Sequence, residues 1–154
     1  GDVLNAAATL RNFSALKGRG ARFEAAGVTV IDESYNANPA SMAAALALLA
    51  AAPGRRIAVL GDMLEMGKDS AAHHAALAQP VEQARADLVF ACGSAMRALW
   101  EALPAMRRGA YAAGPAELAA PLLAALKKGD TVLVKGSFGS GMARIIDALR
   151  ARGD

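Results

Sequence analysis

Short, continuously apolar runs alternate with helix-forming segments along this chain, and that alternation is the feature that most limits its possible folds. Such runs indicate strands, and they lie at residues 28–31, 56–60, 88–92 and 131–134, with a weaker candidate at 109–112. Helical patterns occupy 41–52, 70–86, 94–103, 115–127 and 139–151. Strands that are apolar throughout predict an α/β, Rossmann-like domain of three layers, with a mainly parallel sheet and helices on both faces.

Three local signals refine this outline. Residues 21–24 are placed to pair with 28–31 through the turn Ala25-Ala26-Gly27, which predicts one antiparallel edge strand. Pro80 predicts a kink or a split within 70–86. Pro121 leaves two alternatives for 115–127: a helix along the whole segment, or a regular helix that begins only at Pro121.

Charge and cysteine content exclude several classes of protein. The 154 residues fit one domain. Seventeen basic residues against 14 acidic ones give a net charge of +3, and no long basic run is present, so we expect a solvated surface and no nucleic-acid partner. The single cysteine, Cys92, forms no intrachain disulfide and is predicted to be a buried strand residue. Because no signal peptide or long apolar segment is visible, we expect no membrane contact and a cytoplasmic location.

The first predicted strand is followed by the densest group of polar residues in the chain. It runs from Asp32 to Pro39 and holds two carboxylates, a hydroxyl and two amides. A carboxylate can accept both ribose hydroxyls, and asparagine can both donate to and accept from an adenine edge. The alternative is a polar loop in which Asn38 or Ser41 caps the next helix.

The second and last strands also end in candidate ligand loops. Asp62 and Glu65 follow the second strand in L-G-D-M-L-E-M-G, where the alternative is a turn with a helix cap. Gly67-Lys68 imitates a phosphate-binding loop, but Asp69 stands where that motif needs Ser or Thr, and Asp62 stands where it needs glycine. After the last strand, Lys135 precedes a glycine- and serine-rich stretch that predicts either an anion cradle or a tight turn.

Two further features concern single residues. Arg19 lies between two glycines, which suits a mobile side chain that reaches a phosphate, or an exposed linker arginine. His73 and His74 are adjacent, so on a helix their side chains diverge by roughly 100° and cannot form a metal pair. Each is expected to be a surface or capping histidine.

Taken in order, these segments resemble the C-terminal domain of the Mur ligases, and the resemblance covers nearly the whole chain. The strings S-Y-N-A-N-P and L-G-D-M-L-E-x-G are most similar to the branch that adds D-Ala-D-Ala. The matching segments are Gly18-Arg19-Gly20, the stretch 31–42, the stretch 60–67 with His74, and Val134-Lys135-Gly136-Ser137 with Met142.

The resemblance implies a role in a larger enzyme. Mur ligases use ATP and Mg²⁺ to convert a peptide carboxylate to an acyl phosphate, which the amine of the incoming substrate then attacks. A central domain carries the phosphate-binding loop and the Mg²⁺ ligands. The resemblance therefore implies that residues 1–20 are the interdomain linker and 21–154 the C-terminal domain, that the chain is part of a longer protein, and that it is inactive alone.

The resemblance also implies site residues, position by position. It implies no complete catalytic set and no metal ligand in this chain, and it leaves open whether Asp32 or Glu33 contacts ribose. The implied nucleotide-binding residues are Arg19, Asp32, Glu33, Tyr35, Asn36, Asn38 and Pro39. The implied acceptor or closure-interface residues are Asp62, Glu65, His74, Lys135 and Ser137.

The implied partners are ATP or ADP, D-Ala-D-Ala and a UDP-muramoyl tripeptide, and we expect a monomer. Two other interpretations stay open at this point: a stand-alone Rossmann-like module that binds a nucleotide or a small anion, and a purely structural interaction domain. The second leaves the polar strand ends without explanation.

Overall fold

The computed structural model describes Gly18 and residues 20–153, and within them the chain forms one six-stranded sheet with helices on both faces. The strands are β1 (Ala21–Ala25), β2 (Val28–Glu33), β3 (Arg56–Gly61), β4 (Leu88–Cys92), β5 (Arg108–Ala112) and β6 (Thr131–Lys135). The helices are α1 (Pro39–Ala50), α2 (Ser70–Ala75), α3 (Ala78–Gln83), α4 (Arg97–Ala102), α5 (Pro115–Ala125) and α6 (Ala143–Gly153). Short 3-10 turns lie at Gly67–Asp69, Ala105–Arg107 and Phe138–Ser140.

The order of strands across the sheet is β1-β2-β6-β3-β4-β5. β1 pairs with β2 antiparallel, and each of the other neighbouring pairs is parallel. The predicted sheet and its antiparallel edge strand are thus confirmed. The hairpin turn uses Ala26 and Gly27, both at positive φ (50° and 84°), which is the geometry that a two-residue hairpin turn requires.

The strands are apolar on both faces because both faces are covered. Leu133 of β6 belongs to the core that α1, α3 and α4 cover, whereas Val132 and Val134 belong to the core under α5 and α6. Each central strand therefore contributes alternate side chains to two separate cores. This explains why the sequence shows continuous apolar runs where a half-exposed sheet would alternate.

The helices begin and end close to their predicted bounds, with three differences. The segment 70–86 is split into α2 and α3, and the break lies before Pro80, at residues 76–77. α5 is continuous from Pro115 through Pro121, so the later start is wrong. Pro121 has no N–H to donate to the Glu117 carbonyl, but both residues are exposed, so water can reach that carbonyl. α6 begins only at Ala143, because Gly141 adopts a left-handed φ of 77°.

The position of β6 creates the crevice in which the candidate site lies. β6 lies between β2 and β3. From β2 the chain enters α1 on one face of the sheet, whereas from β6 it enters α6 on the other face. Loops that leave neighbouring parallel strands in opposite directions separate, and the gap between them is where open α/β sheets bind ligands.

Asp130 lies just before β6, at the end of the strands away from the crevice, and its hydrogen bonds give a test of the fold. Its buried carboxylate accepts hydrogen bonds from Arg55 Nε and Nη2, at 3.0 and 2.8 Å, and from the Lys127 backbone N–H at 2.7 Å. Burial raises the pKa of the Asp130 carboxyl, but these hydrogen bonds and the two positive charges outweigh it and hold the pKa below its ordinary value. Ionised Asp130 therefore stabilises the fold above about pH 4, and this contribution is lost as pH falls through the lowered pKa.

We expect Asp130→Asn to lower the free energy of unfolding by about 1–3 kcal/mol at neutral pH. The difference from wild type should shrink as pH falls through the lowered pKa of Asp130, where the wild-type carboxyl becomes protonated as well. Urea unfolding at neutral pH and at acidic pH measures this. Glu101→Gln is the matched control, because its ion pair with Arg97 is exposed (67% and 66% for the two side chains) and should contribute nothing measurable. A deficit of equal size at both pH values would contradict the role of the Asp130 charge.

Candidate functional site

Asp32 and Glu33 are neighbours at the end of β2, but their carboxylates have different surroundings. Asp32 is completely buried: Oδ2 accepts from the Gly18 N–H at 3.0 Å, and Oδ1 accepts from the N–H and the hydroxyl of Ser34 at 3.0 and 2.6 Å. The carboxylate of Glu33 is 21% exposed and borders an open pocket. Asp32 thus fastens the entering chain to the sheet, and Glu33 faces the site.

That pocket has a volume of about 320 Å³ and opens between the ends of β2 and β6. Gly18 has a positive φ of 81°, and a Cβ there would lie 2.9 Å from the Cβ of Tyr35, so only glycine fits against the loop after β2. The lining residues are Gly18, Glu33, Tyr35, Asn36, Asn38, Ser41 and Lys135.

Lys135 is the buried cation of this pocket. Its side chain is 2% exposed, and the ammonium donates to the Asn36 carbonyl at 2.8 Å and lies 3.5 Å from Glu33 Oε1. The parallel register that places Glu33 opposite Lys135 brings the pair together. Burial lowers the pKa of Lys135, and the Glu33 charge partly opposes that shift. The resemblance assigned Lys135 to the acceptor or closure-interface residues, and the structure places it beside Glu33 and Asn36, two of the predicted nucleotide-binding residues.

The two asparagines that border the pocket are also held by local hydrogen bonds. Asn38 is the N-cap of α1: its Oδ1 accepts from the Ser41 N–H at 2.9 Å, and Ser41 Oγ accepts from the Asn38 N–H at 2.9 Å. This capping box confirms the capping alternative for Asn38, and Pro39 follows it as the first residue of the helix. Asn36 Oδ1 accepts from the Ala37 N–H at 2.9 Å, and its exposed side chain lines the pocket with an amide N–H₂ group that can donate to a ligand.

A second hollow of about 250 Å³ adjoins the first, and Asn36 lines both. Glu65 is exposed here and adopts a positive φ of 62°, which is uncommon for a residue other than glycine and is found preferentially at functional sites. Phe138 is 72% exposed, with its ring centroid 5.7 Å from that of Tyr35. The lining residues are Asn36, Leu64, Glu65, Ser137, Phe138 and Gly139.

Two further candidate residues support the loops around these hollows. His74 is fully buried, so the surface alternative of the expected surface or capping histidine is wrong for it, while His73 is exposed. His74 Nε2 accepts from the Met63 N–H at 3.0 Å, and Nδ1 lies 2.7 Å from the Ser70 carbonyl, which assigns the Nδ1–H tautomer. Asp62 Oδ1 accepts from the Met96 N–H at 2.8 Å, and the carboxylate borders a separate hollow with Ser94.

The structure therefore brings most of the predicted site residues together. Glu33, Tyr35, Asn36 and Asn38 share one pocket, Glu65 and Ser137 share the next, and Arg19 lies outside the described residues, as do nearly all of the predicted linker positions. Three lining residues were not among the predicted site residues: Gly18, Ser41 and Phe138. In the sequence, Gly18 stood only in the matching segment around Arg19, Ser41 only as a possible helix cap, and Phe138 only within the glycine- and serine-rich stretch after Lys135.

Across Gly18 and residues 20–153, no group of three or more His, Cys, Asp or Glu side chains is placed to hold a metal ion. In the same part of the chain, no helix is long and apolar enough to cross a bilayer. Cys92 is buried as predicted, and burial raises the pKa of its thiol to about 12. A thiol held protonated in this way is a poor nucleophile.

Comparison with known proteins gives consistent matches. The family described as "Mur ligase, glutamate ligase domain" matches residues 18–138. The UDP-N-acetylmuramoyl-tripeptide–D-alanyl-D-alanine ligase of Escherichia coli K12 is 36% identical over 126 residues, which cover 80% of this chain and 27% of that protein. The ligase of the same name from Mycobacterium tuberculosis H37Rv is 38% identical over 151 residues, covering 81% of this chain and 29% of that protein.

A structural comparison gives a match to the same family. The crystal structure of MurF ligase from Thermotoga maritima in complex with ADP superimposes with a TM-score of 0.77 at 27% identity, covering 89% of this chain and 31% of that one. The chain thus spans less than a third of the length of the relatives and the structure it matches.

Proposed function

This chain belongs to the Mur ligase family, and from that premise we propose that it is the nucleotide- and acceptor-binding C-terminal domain of a longer ligase that joins D-Ala-D-Ala to UDP-N-acetylmuramoyl tripeptide. The relatives that carry this name match over about four-fifths of the chain. One observation carries the proposal: an exposed carboxylate and a buried ammonium, Glu33 and Lys135, share a pocket at the crevice beside β6.

The first pocket is proposed to bind the nucleoside of ATP. Glu33 is assigned to the ribose hydroxyls, because the carboxylate of Asp32 is buried and already accepts three hydrogen bonds. The side-chain amides of Asn36 and Asn38 line the pocket and can recognise the adenine edge. The ring of Tyr35, which is half-exposed, can stack on the base. Pro39 contributes by fixing the start of α1 and, with it, the position of Asn38.

The phosphates and the metal are proposed to be held mainly by the rest of the ligase. This chain has no phosphate-binding loop, and its described residues offer no metal cluster. Arg19 is proposed to approach the phosphates from the linker. Mg²⁺, bound by the central domain, would neutralise the charge of the transferred phosphoryl group.

The second hollow is proposed to take the acceptor. Glu65 offers a carboxylate to the ammonium of D-Ala-D-Ala, and Leu64 and Phe138 offer apolar surface to its methyl groups. Asn36 forms the wall shared with the nucleotide pocket, so the two substrates would lie side by side. Asp62 and His74 are proposed to act through the loop after β3, since their polar atoms bond within the chain.

The proposed reaction has two steps. The terminal carboxylate of the tripeptide attacks the γ-phosphorus of ATP, which yields an acyl phosphate and ADP. The free amine of D-Ala-D-Ala then attacks the acyl carbon, and phosphate leaves as the amide forms. We place this enzyme in the cytoplasm as a monomer, and we expect the present chain to have no ligase activity alone.

The test is a titration of this chain with ADP, followed by backbone amide chemical shifts. We expect weak, saturable binding with the largest shifts at Glu33, Asn36 and Asn38, and none at the distant β5 edge. Asn36→Ala should weaken binding without changing the thermal midpoint, whereas Glu24→Gln on the far hairpin should match wild type. Shifts confined to another part of the surface, or no ATP use by the full-length ligase, would overturn the nucleotide assignment.

A further inference from the structure

Ser137 touches both of the loops that form the two hollows. It is 6% exposed, lies two residues after the end of β6 and lines the second hollow. Its Oγ accepts from the Leu64 N–H at 2.8 Å and donates to the Ala37 carbonyl at 3.3 Å. Its backbone N–H donates to the Asp62 carbonyl at 3.0 Å. One serine thus joins the loop after β2, residues 34–38, to the loop after β3, residues 62–67.

The loop after β3 depends on such contacts from outside itself. His74 holds the Met63 N–H from one side, and Ser137 holds the Leu64 N–H from the other. Glu65 follows at a positive φ of 62°, a conformation that persists when the surroundings fix it. Releasing Leu64 would therefore release the carboxylate of Glu65 from its position in the second hollow.

We propose that Ser137 is a positioning residue that keeps the nucleotide loop and the loop of Glu65 in register, so that the two substrates are aligned by one hydroxyl. This rests on the proposed function for the identity of the ligands. The positioning of the two loops follows from the hydrogen bonds alone, because neither loop can shift along the crevice without breaking a hydrogen bond to Ser137.

The test compares Ser137→Ala with Ser140→Ala and Ser137→Thr. Ser140 lies on the same loop, and its hydroxyl bonds only within it, to the Ser137 carbonyl at 2.5 Å, so Ser140→Ala is the matched control. Amide hydrogen exchange on this chain, without ligand, should accelerate in both loops in Ser137→Ala and in neither in Ser140→Ala. Ser137→Thr, which keeps the hydroxyl, should restore the slow exchange.

In the full-length ligase, Ser137→Ala should raise the KM of ATP and that of D-Ala-D-Ala together, each about tenfold, as expected when a buried hydrogen bond is lost. The thermal midpoint of Ser137→Ala should fall slightly below that of Ser140→Ala, because Ser137→Ala leaves the Leu64 N–H without its acceptor. Faster exchange in one loop only, or a rise in only one KM, would overturn the inference. A wild-type ligase that does not use these substrates would overturn the proposed function instead, and the exchange comparison would still decide the role of Ser137.

Discussion

Glu33→Gln should raise the KM for ATP of the full-length ligase by on the order of tenfold to a hundredfold, while the thermal midpoint stays close to that of wild type. A carboxylate that accepts from both ribose hydroxyls makes charge-assisted hydrogen bonds, which are roughly twice as strong as those of a neutral amide. Glutamine keeps the length of the side chain and an acceptor oxygen for Lys135, which lies 3.5 Å away. The loss should therefore fall on the ligand and not on the fold.

Asp32→Asn is the matched variant, and its result should be the reverse. Its carboxylate receives three donors from Gly18 and Ser34 in a site without solvent. An amide would turn its own N–H₂ toward at least one of these donors, so we expect a loss of about 2–4 kcal/mol in unfolding free energy. Urea unfolding and ATP kinetics on both variants separate the two roles. If Asp32→Asn were as stable as wild type but had a high KM for ATP, and Glu33→Gln had an unchanged KM, the ribose contact would belong to Asp32 and not to Glu33.

The contrast between these two carboxylates also shows what the sequence could predict. The periodicity of the chain predicted the sheet, because continuous apolar runs have few uses other than strands covered on both faces. It also placed the polar loop after β2 at a ligand-binding edge. It could not rank Asp32 against Glu33, because the donors to Asp32 include the Gly18 N–H, fourteen residues away.

Lys135 and His74 illustrate the same difficulty. The position of Lys135 next to Glu33 depends on β6 lying beside β2, an order that local sequence does not specify. His74 is buried and His73 exposed, although the two are neighbours on a short helix whose orientation is set by packing. Local patterns thus predicted which loops border the pockets, and long-range pairing decided which of their side chains line them.

Pro121 gives a case in which a local rule was too strict. A proline inside a helix removes one hydrogen bond and crowds the preceding turn. In α5 that cost falls on an exposed face, while Leu118 and Leu122 remain fully buried on the other. Tertiary packing of the apolar face therefore outweighs the local defect.

Lys135→Met should weaken nucleotide binding, with a rise in the KM for ATP of at least about tenfold. The ammonium donates to the Asn36 carbonyl at 2.8 Å and lies 3.5 Å from Glu33 Oε1. Without it, the Asn36 peptide and the Glu33 carboxylate lose the charge that orients them toward the pocket. Stability should change little, since methionine fills a similar volume and Glu33 is partly exposed to water. Lys68→Met, on an exposed lysine, is the control and should behave as wild type.

The pH dependence of ATP binding separates the charge of Lys135 from its bulk. Burial lowers the pKa of Lys135, so the ammonium loses its proton below the pH of about 10.4 at which an ordinary lysine does. If the charge orients Glu33, the KM for ATP in the wild-type ligase should rise as pH climbs through that lowered pKa. The variant Lys135→Met has no proton to lose, so its KM should be high and flat over the same range. If the KM for ATP rose with pH in the same way in wild type and in Lys135→Met, another group would be titrating, and Lys135 would act through packing alone.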